Sequence, residues 1–327
     1  MIPDLSPDLA AILIGRNEGE RFLRCLASVK GRVGRIVYVD SGSTDGSVEA
    51  ARAAGALVIP LDRSQPFTAA RARNAGLEAL RGGGALPGFI QFVDGDCEVQ
   101  PLWIDTALAF LQAHPQAAVA CGRRRERFPQ ASVYNHLCDL EWDTPVGQAR
   151  ACGGDALMRG AALDQVGGYN PRLIAGEEPE MCLRLRQKGW QIWRLDAEMT
   201  LHDAALTRLS QWWKRTRRAG HAYAEGAALH GSSPDALGVA GQRRALIWGL
   251  TVPVSAITGS VFTPWAGLIL LLWPLQMIRL SARGGFGRTA WQQAFFLVFG
   301  KLAEAQGVAE YHLRRLIGRP AGIIEYK

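Results

Sequence analysis

The chain has 327 residues, 48% of them hydrophobic and 20% charged. That is the length of about two domains with a large core, and it excludes a disordered protein. The net charge of +7 is unevenly placed: residues 1–204 carry 22 basic and 25 acidic side chains, residues 205–327 carry 15 and 5. A uniformly basic nucleic-acid binder does not divide this way. Because the basic part is also the apolar part, the expected partner is an anionic membrane surface, with no nucleic acid.

Six cysteines stand at 25, 97, 121, 138, 152 and 182, with no CxxC pair. They read as reduced thiols, not as a zinc site or a disulfide framework. The first ten residues lack the apolar run of a secretory signal, so the expectation is a cytosolic amino-terminal part.

Strand and helix alternate along the first two thirds. Ala11–Ile14 reads as a buried strand. Asn17 is placed to cap a helix over Glu18–Val29, with Phe22, Leu26 and Val29 on one face. Arg35–Val39 is a second strand. Thr44 caps a helix from Asp45 to Ala54 that Gly55 ends. Ala56–Ile59 is a strand, Ala69–Leu80 a helix, Phe89–Val93 a strand and Trp103–Ala113 a helix closed by His114-Pro115. Further strands fall at Ala117–Cys121 and Gln191–Leu195. This order predicts an α/β fold: a Rossmann-like, mostly parallel sheet with helices on both faces. Ligands on such sheets bind at the carboxyl ends of the strands. Gly15–Glu18, Asp40–Asp45 and Asp94–Asp96 each follow a strand there.

Asp94-Gly-Asp96 sets two carboxylates one residue apart at a strand end. Mg2+ and Mn2+ favour such oxygen ligands, although a solvated turn has the same composition. Downstream, Gly176-Glu-Glu-Pro-Glu180 opens a helix, with Pro179 read as its first residue. Helix capping accounts for one acid; a carboxylate at this position is also where a general base stands.

Taken in order, Ile14-Gly-Arg-Asn-Glu18, Val39-Asp-Ser-Gly-Ser-Thr-Asp-Gly46, Ala72-Arg-Asn-Ala-Gly76, Asp94-Gly-Asp96, Gly176–Glu180 with Leu183–Arg186, and Gly189-Trp190 resemble glycosyltransferase family 2 over about residues 10–225. The resemblance implies a GT-A fold that binds a nucleotide-diphospho-sugar and Mg2+ or Mn2+. It places Arg16, Asn17 and Glu18 around the nucleotide, Asp40 and Ser41 at base and ribose, and Arg73 and Asn74 nearby. Asp94 and Asp96 become the DxD motif, with Asp96 the direct metal ligand and His202 completing the metal site. Gly153, Gly154 and Asp155 fall in a glycine-rich acceptor-side loop. Glu178 takes the place of the catalytic base, with Glu177 and then Glu180 as alternatives. The sequence departs from the family at Ser41, where a second acid is usual, and at Glu178, where Asp is usual.

Glu141, Trp142 and Asp143 read as acceptor-pocket residues or as surface packing. Arg123–Arg127 reads as a solvated face or as a site for an anionic lipid-phosphate acceptor. Beyond residue 205, Gln211–Arg218 mixes two tryptophans with four cations, and no charge falls between Arg244 and Arg279. This predicts an apolar hairpin over about 245–280, broken near Gly259-Ser260 and flanked by Arg243, Arg244, Arg279, Arg283 and Arg288. Trp291–Ile317 follows as an amphipathic helix. The expected domains are therefore a GT-A catalytic domain at 1–225 and a membrane-associated helical region at 226–327.

The resulting expectation is an inverting, metal-dependent glycosyltransferase at the inner (cytoplasmic) membrane, catalytic domain facing the cytoplasm. Its acceptor is a lipid-linked glycan or surface polysaccharide. The alternatives are a polyprenyl-phosphate monosaccharide transferase and a degenerate GT-A domain that binds or recruits without catalysis.

Overall fold

The computed structural model describes residues 8–318. The chain divides into two compact units, Met1–Ala205 and Leu206–Lys327. The division falls earlier than residue 225, because the helix Leu209–His230 belongs whole to the second unit.

The first unit is built on β1 (Leu9–Gly15), β2 (Arg35–Asp40), β3 (Leu57–Pro60), β4 (Phe89–Asp94), β5 (Cys97–Val99), β6 (Ala117–Glu126), β7 (Gly147–Ala149), β8 (Ala156–Arg159) and β9 (Gln191–His202). Between them lie α1 (Glu20–Val29), α2 (Ser47–Ala53), α3 (Ala69–Arg81), α4 (Trp103–Ala113), α5 (Val133–Glu141), α6 (Gly160–Val166) and α7 (Glu177–Gln187). The strands run β3-β2-β1-β4-β8-β6-β9-β5, with β7 paired to β9. β1 to β4, apart from β8, form the expected parallel half, and β6 and β9 are also parallel. The short strands β5, β7 and β8 run antiparallel to their partners. At three or four residues each, they lie below the length at which alternation is legible.

The residues of β1 are buried on both faces up to Ile14, as a central strand requires. Its register sets Gly15 beside Asp40 and Ile14 beside Asp94. The carboxyl ends of β1, β2 and β4 are therefore level, and their loops meet at the point where strand order reverses.

Asn17 and Thr44 do not cap their own helices; α1 starts at Glu20 and α2 at Ser47. Instead the loops brace each other. Thr44 N donates to Asn17 Oδ1 at 2.7 Å, Asn17 N to Ser43 Oγ at 2.9 Å, and Gly19 N to Asp45 Oδ2 at 2.7 Å. Asn17 takes a left-handed conformation (φ 55°), which Asn tolerates better than most residues. All six cysteines are buried and free.

The second unit contains α8 (Leu209–His230), α9 (Val239–Leu246), a π-turn (Ile247–Thr251), α10 (Val252–Gly259), a 3-10 turn (Pro264–Leu271), α11 (Leu272–Arg283) and α12 (Arg288–Leu316). Glycines let its helices touch backbone to backbone. A Cβ at Gly220 would overlap the Glu304 carbonyl, one at Gly307 the Arg217 carbonyl, and one at Gly249 the Lys301 carbonyl. The apolar stretch forms the expected hairpin, turning at 260–263. Trp273 Nε1 on the second arm donates to Trp248 O on the first at 3.1 Å. The hairpin's large side chains face outward: Ile257 is 69% exposed, Phe262 90% and Trp265 74%.

Candidate active site

Strand register gathers the site. β5 pairs with β9 so that Cys97 lies opposite His202, and β6 pairs with β9 so that Glu126 lies opposite His202 on its other side. His202, far along the chain, is thereby delivered next to Asp96: its Nε2 stands 3.3 Å from Asp96 Oδ2. Both groups are buried. A carboxylate and an imidazole converging here suit Mn2+ or Mg2+, and Nδ1 of the ring is buried with no hydrogen-bond partner among the described residues. The donor set fits a divalent cation. Burial holds His202 below its ordinary pKa, against the pull of Glu126, which keeps the imidazole in its ligating neutral form.

Asp94 is held differently. Arg73 Nη2 donates to its Oδ1 at 2.8 Å, and Arg124 Nη2 stands 3.3 Å from its Oδ2. Burial pushes this carboxyl up, but the two guanidinium groups outweigh it and hold Asp94 well below the usual carboxylate range. The backbone N of Asp94 donates to Asp155 Oδ1 at 3.0 Å. Asp155 is fully buried and also takes Thr200 Oγ1 at 2.8 Å and Arg124 Nη2 at 2.6 Å. Buried there, it supports Asp94 from below.

Arg73, 2% exposed, joins this group to the start of α7. Its Nη1 donates to Glu178 Oε1 at 2.7 Å and to Glu177 Oε1 at 3.2 Å. Burial, then the neighbouring Glu177 carboxylate, pushes Glu178 up to about 7 against the pull of Arg73. A carboxyl poised there can accept a proton near neutral pH. Glu180 faces away: Arg184 grips it through Nε at 2.9 Å and Nη2 at 2.8 Å. Pro179 is the third residue of α7, not the first. Gly154 packs on the Arg73–Asp94 pair, where a Cβ would stand 2.6 Å from Arg73 Nη2 and 2.6 Å from Asp94 Oδ2. Gly153 has open space around it.

The residues expected on the nucleotide side make these contacts within the protein. Arg16 lies 4.7 Å over the Phe67 ring, and Glu18 pairs with Arg21 at 2.7 Å. Asp40 is buried and organises its own turn, accepting from Tyr38 Oη at 3.0 Å, Gly42 N at 2.9 Å and Ser43 N at 3.0 Å. Ser41 N donates to Gly15 O at 3.1 Å, tying β2's end to β1's. Asn74 spends both amide atoms on the Tyr169 backbone, at 2.7 and 2.9 Å, and so pins a loop. Glu141 and Asp143 are exposed. Asp143 stands 3.3 Å from Arg123. Trp142 sets its ring edge-on to His202 at 4.7 Å, with Arg124 5.4 Å from its centroid.

The run Arg123–Arg127 is not a free basic face. Arg123 pairs with Asp139 at 3.2 Å, Arg125 with Glu198 at 2.6 Å and Arg127 with Glu98. β-bulges between Cys121 and Arg124 turn Arg124 toward Asp94. Arg124 and Glu126 are site residues that sequence reasoning missed, because the partners of the run come from distant strands.

The parallel half-sheet, the level loops and the DxD acids define an α/β domain of GT-A type. Residues 11–147 match the family described as glycosyl transferase family 2. A mannosyltransferase from Pyrobaculum calidifontis, solved with GDP-Man and Mn2+, shares the fold: TM-score 0.61 at 15% identity, covering 94% of this chain and 90% of that one. The succinoglycan biosynthesis protein ExoA of Rhizobium meliloti is 26% identical over 188 residues, 55% of this chain and 57% of its own. The pre-mycofactocin glycosyltransferase of Mycobacterium tuberculosis is 24% identical over 236 residues, 68% of this chain and 48% of its own. A TPR repeat-containing protein of Synechococcus elongatus is 40% identical over 134 residues, 41% of this chain and 31% of its own. The chain thus spans less than two thirds of each of these curated relatives.

Proposed function

We propose that the chain is a metal-dependent, inverting glycosyltransferase. It moves a sugar from a nucleotide-diphospho-sugar to a lipid-linked glycan or surface polysaccharide. The observation that carries this reading is the linked set Glu178–Arg73–Asp94 beside Asp96–His202. A proton acceptor poised near neutrality stands one guanidinium away from the DxD acids. A domain that only bound a nucleotide-sugar has no need of such a base. The names of ExoA and of the mannosyltransferase agree with a sugar-transferring role and with Mn2+.

Asp96 and His202, with Asp94 beside them, would hold a divalent cation, which when bound would supply positive charge against the departing diphosphate. Arg73 and Arg124 hold Asp94 ionised and fixed. Glu178 takes the proton of the acceptor hydroxyl as that oxygen bonds to the anomeric carbon. The bond from that carbon to the diphosphate breaks on the opposite face, so one displacement inverts the configuration. The ionised base is the active form. Transfer at sub-saturating donor is therefore expected to rise with pH through about 7 and level off above it. A kcat/KM profile flat from pH 5.5 to 8.5 contradicts the assignment of Glu178.

The same reading puts the second unit in the inner (cytoplasmic) membrane, with the catalytic domain on the cytoplasmic side. Pro264–Arg283, 20 residues long and mostly unburied, is the one helical stretch among the described residues long and apolar enough to cross a bilayer. Its uncharged part ends at Ile278, with Arg279 and Arg283 in the last turns, so spanning the ~30 Å of a hydrocarbon core sets both arginines at its edge. The arginines at 243, 244, 279, 283 and 288 flank the two outer ends of the hairpin, in agreement with a cytoplasmic base. Full-length protein is expected to stay with membranes through alkaline carbonate washing. Release into the supernatant contradicts the spanning hairpin.

A further inference from the structure

Glu126 is the one acid in the run Arg123–Arg127, and it is 3% exposed. Three donors fix its carboxylate: Oε1 accepts from Phe128 N and Asn135 Nδ2, each at 3.0 Å, and Oε2 from Ala204 N at 3.0 Å. The same Oε2 stands 3.8 Å from His202 Nδ1, the buried ring nitrogen with no hydrogen-bond partner among the described residues. The opposite nitrogen, Nε2, faces Asp96. Trp142 closes on the ring edge-on, at 88°. His202 is thus bracketed, nitrogen by nitrogen, between two carboxylates.

A neutral imidazole carries one ring proton. If Nε2 is to offer a lone pair to a cation, the proton must sit on Nδ1, and there it needs an acceptor. We infer that Glu126 is a positioning residue: it receives the Nδ1–H of His202, fixing the tautomer and the ring so that Nε2 points a lone pair at the site shared with Asp96. This rests on the reading of Asp96 and His202 as cation ligands. The 3.8 Å gap is longer than a hydrogen bond. A small turn of the ring closes it, since the carboxylate is held by its three donors and the ring is not. Carboxylates placed behind ligating histidines orient them in this way in many metal sites.

The test is Mn2+ binding to full-length protein in detergent, read from the EPR signal of free Mn2+ and needing no turnover. In Glu126→Gln the amide oxygen can keep Phe128 N and Asn135, while the amide nitrogen gives up the bond from Ala204 N, points a donor at Nδ1 and drives the ring proton to Nε2. Mn2+ affinity is expected to fall by about 10–100-fold. Glu126→Asp, which keeps an acceptor, is expected to recover part of the loss. A second readout is the tautomer of 15N-labelled His202 in Mg2+-loaded wild type, expected to carry its proton on Nδ1. Asp96→Asn separates the two levels of the claim. If it loses Mn2+ while folded Glu126→Gln binds as wild type, the role of Glu126 is overturned and the metal site stands. If Asp96→Asn also binds as wild type, the metal site is wrong and the inference falls with it. Should Glu126→Gln fail to fold, the tautomer decides: a proton on Nε2 overturns the proposal.

Discussion

Glu178→Gln is expected to lower kcat by about 10²–10⁴-fold, the worth of a positioned general base, while donor binding persists. Gln keeps the shape and can still accept from Arg73, so the Arg73–Asp94 pair at 2.8 Å survives. What is lost is the ability to carry the acceptor's proton. The same substitution has a second, opposite signature in stability. The folded pKa of Glu178 is raised from 4.5 to about 7. Its contribution to stability is therefore full below about 4.5 and is lost as pH rises through about 7. Glu178→Gln removes the buried charge, so it should melt higher than wild type at pH 8 and like wild type at pH 4.5. A variant that loses activity and is also less stable at pH 8 would be damaged, not deprived of its base. Unchanged turnover would move the base elsewhere, first to Glu177, whose carboxylate shares Arg73 at 3.2 Å.

Asp96→Ala should abolish metal-dependent transfer, a loss of about 10³-fold or more given the several kcal/mol a bound cation supplies. It differs from Glu178→Gln in what it does to the donor, because metal-dependent donor binding goes with it. Asp96 lies beyond the end of β4, where its carboxylate stands 3.3 Å from His202 Nε2 and accepts from the Cys97 thiol at 3.6 Å; a circular dichroism spectrum like that of wild type checks that the variant is folded. Full activity of Asp96→Ala at the Mn2+ concentration that serves wild type would sink the metal assignment.

The parallel half of the sheet was legible because its strands are apolar runs bounded by turn residues, and because the chemistry sits where such sheets place it. Asp94, Asp96 and Glu178 could be singled out by residue type and place in the chain, and Arg73 and His202 through the family resemblance. Their partnerships could not. Arg73 falls in the sequence pattern as a nucleotide contact, yet its guanidinium joins Asp94 to Glu178 from 21 and 105 residues away. Asn74, adjacent in sequence, turns the other way to hold Tyr169. Asp155 is next to two glycines and reads as an open loop, but β8 inserts antiparallel beside β4 and buries it under Asp94. The run Arg123–Arg127 looks like a solvated basic face because composition does not show that Asp139, Glu198 and Glu98 reach it from other elements. Asn17 and Thr44 are both good capping residues, and only tertiary contact shows that they spend that capacity on each other's loops. In the second unit, hydropathy sufficed to find the hairpin. The glycine contacts that pack α8 and the hairpin's first arm against α12 depend on which helices meet.

The most direct test of the whole account is donor binding by thermal shift: nucleotide-diphospho-sugars, each with and without Mn2+, on detergent-purified wild type, Glu178→Gln and Asp96→Ala. The account predicts a rise in melting temperature with one donor and Mn2+ together, kept in Glu178→Gln and lost in Asp96→Ala. A folded wild-type protein that shifts with no donor, or shifts equally without metal and in Asp96→Ala, would contradict the site.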